Sequence, residues 1–165
     1  MTTPQPDQLA LLVDRMAVQD VLVRYATALD SRDWQLLRTC FTPDAVGVYE
    51  TLGEQHGYER IEALCRGALE PLAATQHIIT NIVVELAGDR ARTSCYLQSM
   101  HVRERPDGDN FIVAGQYRDE LVRTADGWRI ARRNLRRIWT QGRLGDHGRS
   151  AGSAGPSSPS PSNQE

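Results

Sequence analysis

Apolar residues in this chain recur first at helical spacing and then at every second position, and that single change of period limits the fold more than any other feature. Leu9, Leu12, Val13 and Met16, followed after a small phase shift by Val18, Val21, Leu22, Tyr25 and Leu29, predict one long helix from about Pro6 to Leu29. A short second helix is expected over about Asp33 to Cys40, with Asp30 or Ser31 as its N-cap. Phe41-Thr42-Pro43-Asp44-Ala45 reads as a turn into a strand through Val46, Val48 and Tyr49. A loop with Gly53 and Gly57 then leads to a third helix, Tyr58 to Leu69, ended by Pro71.

From there the period is two. Strands are expected over Gln76 to Leu86, Ala91 to Arg103, Phe111 to Thr124 and Trp128 to Thr140. Turns fall at Gly88-Asp89, Pro106-Asp107-Gly108-Asp109 and Ala125-Asp126-Gly127. Helices first and an antiparallel meander afterwards make an α+β domain, its helices packed on one face of a curved sheet. Ile78/Ile79 and Val83/Val84 make the first meander strand apolar on both faces, and a homodimer is the simplest cover for the outer one. Residues 1–141 form this domain. Gly142 to Glu165 is Gly, Ser, Pro and Asn with almost no apolar residue, so a disordered tail is expected.

Composition removes several function classes. A net charge of −2 and a pI near 6.1 give no electrostatic reason to expect nucleic acid or an anionic membrane as partner. No apolar run approaches the ~20 residues that cross a bilayer, and Met1 to Gln8 is polar without a basic or apolar leader, so the cytoplasm is the expected compartment. Cys40, Cys65 and Cys95 are scattered, with no metal-ligand spacing, and read as small buried hydrophobes. All 19 basic residues are Arg, which excludes Schiff-base chemistry through lysine. Neither a metal nor a cofactor is expected.

A few polar residues stand where such types carry chemistry. Asp30 lies at the C-terminal end of the long helix, the wrong end of the dipole for a carboxylate; it either caps the next helix or serves a site. His77 opens an apolar strand, as a satisfied core residue or as a base. Arg133 shares a strand face with Ala131, Leu135 and Trp139; it either has an anionic partner there or lies on a solvated face. His101, on a face with Cys95, Leu97 and Ser99, points to a cavity or to solvent.

Taken together, Tyr25-Ala26-Thr27-Ala28-Leu29-Asp30-Ser31-Arg32-Asp33-Trp34, Phe41-Thr42-Pro43-Asp44-Ala45, Thr75-Gln76-His77, Tyr117-Arg118-Asp119-Glu120-Leu121 and Asp126-Gly127-Trp128-Arg129-Ile130 resemble the SnoaL-like branch of the nuclear transport factor 2-like superfamily. The resemblance spans about Leu9 to Thr140 and implies a cone-shaped fold enclosing a hydrophobic pocket. Within the superfamily, Tyr25-x4-Asp30 followed by His77 is similar to the catalytic set of bile-acid dehydratases and scytalone dehydratase, in which the Asp orients a His that removes a proton beside a carbonyl. The resemblance implies Asp30, His77 and Tyr25 as catalytic residues and Tyr49, His101, Arg133 and Trp34 as substrate contacts. A bacterial dehydrochlorinase is similar in its dyad and late Arg but carries Lys where this chain has Tyr25. The pair of strand carboxylates of ketosteroid isomerase has no counterpart here.

These residues imply a cofactor-independent lyase or isomerase acting on a hydrophobic small molecule, with dehydration as the expected reaction. A polyketide cyclase closing a ring by aldol chemistry, and a non-catalytic ligand-binding or subunit-like module, are the alternatives. A carboxylate within hydrogen-bond reach of His77 separates the enzymes from the module, which has no use for one.

Overall fold

A computed structural model of the chain describes residues 6–50, 52–104 and 110–142. The turn expected over Pro106 to Asp109 and the tail beyond Gly142 lie outside the described residues. Three helices and six strands follow one another as α1 (Pro6–Ser31), α2 (Trp34–Arg38), β1 (Phe41–Tyr49), β2 (Gly53–His56), α3 (Tyr58–Leu69), β3 (Ala74–Ala87), β4 (Arg90–Val102), β5 (Phe111–Thr124) and β6 (Gly127–Gln141).

In α1, Val18, Val21, Leu22, Tyr25, Ala28 and Leu29 are buried, an i, i+3, i+4, i+7 stripe facing the sheet. Leu9, Leu12, Val13 and Met16 continue the apolar spacing but are each more than half exposed, so the first turns of α1 stand clear of the core. Two contacts fix the helix on the sheet. The Arg15 guanidinium donates to the Val84 carbonyl at 2.8 Å, and Asp14 accepts from Arg123 at 2.8 and 2.6 Å and from the Trp128 indole at 3.3 Å.

The end of α1 corrects one expectation. Arg32 adopts a left-handed φ of 53°, and the Asp33 N–H returns to the Ala28 carbonyl at 2.9 Å, a Schellman-type stop. That turn brings Asp33, not Asp30 or Ser31, to the cap: its Oδ1 accepts from the Leu36 N–H at 2.8 Å. Asp30 is left without a helix to cap.

The strands form one sheet in the order β2-β1-β6-β5-β4-β3. The meander β3–β6 is antiparallel throughout, whereas β1 joins β6 in parallel, so the sheet is mixed. Phe41 to Ala45, expected as a turn, already belongs to β1, which pairs irregularly with β6 between Phe41 and Val46. The stretch Gly53–His56, expected as a loop, pairs with β1 as β2.

Bulges bend the sheet and reassign faces. On β3, Thr75, His77 and Ile79 turn towards the helices. Asn81, at φ 53°, lies in an irregularity between Thr80 and Val83, after which Val84 and Leu86 face inward. Ile78 and Val83 consequently lie on the outer face, 44% and 55% exposed. On β6 the register slips between Ile130 and Arg132, so Ile130 and Arg133 are both buried. A further slip near Ile138 puts Trp139 outside, which corrects the expectation that Arg133 and Trp139 share a face. At Gly115, beside that slip, an added Cβ would lie 2.8 Å from the Arg136 carbonyl oxygen, so the strands approach too closely there for a side chain. No helix among the described residues is long and apolar enough to cross a membrane.

Candidate active site

Asp30 and His77 meet. The last turn of α1 brings the Asp30 carboxylate to the start of β3, where His77 Nδ1 lies 2.6 Å from Oδ1. The His77 backbone N–H donates to Oδ2 at 2.8 Å, and the Thr75 hydroxyl donates to Oδ1 at 3.1 Å. Burial opposes the Asp30 charge, but these hydrogen bonds and the attraction of His77 outweigh it and hold the carboxyl below its ordinary value. An ionised carboxylate only accepts, so the proton between them sits on Nδ1 and leaves Nε2 as the basic nitrogen. The His77 side chain is 5% exposed and that of Asp30 27%, so the pair lies at the edge of the interior with the imidazole on the inner side.

His101, on neighbouring β4, faces inward beside this pair. Its ring meets that of His77 edge-on at 6.0 Å and stacks flat on Phe111 at 4.2 Å. Burial first, and then repulsion between the two imidazoles when both carry a proton, lowers its pKa to about 4, so the ring is neutral at physiological pH. Its buried Nδ1 has no hydrogen-bond partner among the described residues.

A second polar cluster lies deeper. Arg133 is fully buried and makes a two-pronged ion pair with Asp119 on β5, at 2.9 and 2.6 Å. Its guanidinium lies 4.0 Å from the ring centroids of both Tyr25 and Tyr117, which meet each other edge-on. The two phenol oxygens are 3.4 Å apart. One guanidinium nitrogen, Nη1, and the hydroxyl of buried Tyr49 have no hydrogen-bond partner among the described residues. Burial pushes the phenol of Tyr25 far above its ordinary pKa, does the same at Tyr49, and raises Tyr117 to about 12, so all three remain protonated donors.

Of the residues singled out from the sequence, Asp30, His77 and His101 gather in the first cluster and Tyr25 and Arg133 in the second. Asp30 and Tyr25 are five residues apart on α1, a rise of about 7.5 Å. Tyr49, at the end of β1, shares its electrostatic surroundings with Arg133 and Tyr117. Trp34 begins α2 with its ring under the Arg66 guanidinium, 4.7 Å away, and its carbonyl accepts from the Tyr58 hydroxyl at 2.8 Å. All three cysteines are buried, and burial raises Cys40 above its ordinary value, Cys65 to about 12 and Cys95 to about 11, which disfavours the thiolate at neutral pH.

Four contributors had no assigned role in the sequence reading: Thr75, Asp119, Tyr117 and Phe111. Counting outward from the Asp126-Gly127 turn pairs Asp119 with Arg132, and the slip on β6 substitutes Arg133. Gly47 is a fifth. An added Cβ there would sit 2.7 Å from the Tyr49 ring, so the tyrosine packs over bare backbone.

A family model described as a SnoaL-like domain matches residues 10–134. The chain is a SnoaL-like protein. Among its relatives, terrestric acid biosynthesis cluster protein E of Penicillium crustosum is 35% identical over 139 residues, covering 79% of this chain and 87% of that one. A putative aromatic ring hydroxylase of Novosphingobium aromaticivorans has a solved structure with 30% identity and a TM-score of 0.75, covering 83% of this chain and 98% of that one. A putative scytalone dehydratase of the same species, at 23% identity and a TM-score of 0.73, covers 79% and 87% and shares the fold. The cone of helices on a curved sheet is therefore that of the SnoaL-like and nuclear transport factor 2-like proteins.

Proposed function

We propose that this SnoaL-like protein is a cofactor-independent lyase that removes a proton beside the carbonyl of a hydrophobic small molecule and expels a β-hydroxyl as water. The observation that carries the reading is the 2.6 Å contact between His77 Nδ1 and an Asp30 carboxylate that also accepts from the His77 backbone N–H and Thr75. Three donors on one carboxylate fix both the tautomer and the ring orientation, which is what a positioned general base needs and a binding module does not.

In the elimination, Nε2 of His77 takes the proton from the carbon α to the carbonyl, and Asp30 stabilises the imidazolium that forms. The phenols of Tyr25 and Tyr49 donate to the carbonyl oxygen as negative charge develops on it. The carbon–oxygen bond at the β position then breaks, the imidazolium returns its proton to the departing hydroxyl, and water leaves behind a conjugated alkene. His101 and Arg133 supply further polar contacts. Membership of the family and the relative from a biosynthesis cluster support a small-molecule substrate. Aldol ring closure would use the same base and donors.

The test is a panel of aromatic and polycyclic β-hydroxy ketones, with enone formation followed by its absorbance. Turnover by the native protein and its loss in His77→Ala are expected. Turnover that survives in His77→Ala overturns the assignment.

A further inference from the structure

Arg32 lies two residues beyond Asp30, and its side chain returns to the same stretch of chain that the Asp30 carboxylate holds. Nη2 of its guanidinium donates to the Leu72 carbonyl at 2.5 Å and, more weakly, to that of Leu69 at 3.4 Å. Leu69 ends α3, and Leu72 follows Pro71 in the connection to β3. The next residue, Ala73, gives its N–H to the Val102 carbonyl at 2.9 Å, and β3 begins one residue later. Residues 30–32 and 72–77 are therefore joined twice. The Asp30 carboxylate holds Thr75 and His77, and Arg32 holds Leu72.

The backbone at Arg32 is itself unusual. Its φ of 53° is the left-handed conformation that closes α1, and a steric cost falls there on any residue with a Cβ. A turn that only had to end the helix would be served better by glycine, which meets no such cost. The guanidinium Nε is also buried without a hydrogen-bond partner among the described residues, a second cost of placing the side chain there. What the placement gains is contact with carbonyls at the C-terminal end of α3, where acceptors lack helical partners and the dipole favours a cation.

We infer that Arg32 is a positioning residue for the Asp30–His77 pair. The three hydrogen bonds on Asp30 converge on one carboxylate, which turns about its own side-chain torsions, so they fix a point and not an angle. The tie from Arg32 supplies a second point, two residues along from Asp30 and three residues ahead of Thr75. Two points set the direction in which β3 leaves the end of α1, and with it the approach of His77 Nδ1 to Oδ1. Without the tie, the 2.6 Å contact opens more often and the imidazole is no longer held in one tautomer. The side chains of Leu69 and Leu72 are buried in the core and keep the connection in place, so the fold itself survives the loss.

The pair can be watched without any substrate. The proton held between His77 Nδ1 and Asp30 in so short a contact should give a far-downfield NMR signal, assigned by its loss in His77→Ala. Its exchange with water reports how often the contact opens. Full-length native protein, Arg32→Gly and Arg32→Lys are compared. Glycine suits the turn and removes the tie, so the unfolding temperature should stay within ~2 °C of native. Exchange should become at least about tenfold faster, the factor expected from losing one charge-assisted hydrogen bond. Lysine keeps a cationic donor and should recover most of the protection.

Exchange at the native rate in Arg32→Gly overturns the proposal, as does the absence of the signal from the native protein. Failure of Arg32→Gly to fold overturns it too, since the tie would then support the whole fold and not the pair. The effect on turnover rests on the lyase reading: kcat in Arg32→Gly should fall about tenfold with KM unchanged. The two failures are distinguishable, because faster exchange in a protein that turns over no ketone removes the lyase and leaves the role of Arg32 standing.

Discussion

Asp30 stands at the C-terminal end of α1, where the helix dipole disfavours a carboxylate, yet it accepts hydrogen bonds from the His77 ring, the His77 backbone and Thr75. The capping role open to it in the sequence is filled by Asp33, three residues on. In the proposed elimination the pair acts as a unit, so His77→Ala and Asp30→Asn should each lower turnover by about 10²–10⁴-fold, and the double variant should be scarcely worse than either. Steady-state kinetics on the four proteins checks this. Tyr49 offers a contrast between stability and activity. Its buried hydroxyl has no partner among the described residues, so Tyr49→Phe should unfold at the same temperature or higher while turnover falls. A loss of more than about 1 kcal/mol would mean that the hydroxyl is satisfied within the fold. His101 contributes to the pH dependence of stability. Its pKa drops from about 6.5 in the unfolded chain to about 4 in the fold, so the unfolded state takes up the proton first as pH falls. Stability should therefore decline between about pH 6.5 and 4, by up to about 3 kcal/mol, and no further from this group below that window. Urea titrations from pH 7 to 4 should show the decline in the native protein and a flatter profile in His101→Gln.

Among the elements, β3 and β6 do most to place the site, and each does so through an irregularity. The slip near Asn81 lets His77 and Ile79 face inward at one end of β3 and Val84 and Leu86 at the other. Asn tolerates the left-handed φ of 53° found there and a β-branched residue does not. Asn81→Val should thus cost on the order of 1–2 kcal/mol in thermal unfolding, while Asn81→Gly should cost little. A Val variant as stable as the native protein would mean that the strand pairs without the slip. On β6, the slip near Ala131 exchanges Arg132 for Arg133 as the partner of Asp119. Neither irregularity was legible in the sequence. The period is two before and after each, and one extra residue leaves no pattern of its own. Regular stretches were plain, by contrast. The boundaries of α3 and β5 coincide with those expected, because Gly57, Pro71 and the turn at Asp126-Gly127 mark them locally. The parallel pairing of β1 with β6 was not legible, since it joins segments some 90 residues apart that carry no turn between them.

At the scale of the whole molecule, the SnoaL-like fold assembles its polar interior from distant parts of the chain. Asp30 comes from a helix and His77 from a strand 47 residues later, while Arg133 and Asp119 come from the last hairpin. The order of helices and strands, β2 apart, was legible because it depends on local spacing. The Asp30–His77 contact could be approached only through a family resemblance, because its geometry depends on how α1 crosses the sheet. An anionic partner for Arg133 was one of the two alternatives open in the sequence, and the structure supplies it, but its identity as Asp119 escaped even the resemblance. The central claim is that His77, held by Asp30, removes a proton from carbon, and it can be measured apart from any leaving group. Hydrophobic ketones lacking a β-hydroxyl are incubated with the protein in D₂O, and deuterium entering the α position is followed by NMR. The account predicts exchange well above the solution rate with the native protein, and exchange at the solution rate with His77→Ala. Exchange by His77→Ala equal to that of the native protein, or none by the native protein with ketones it binds, would contradict it.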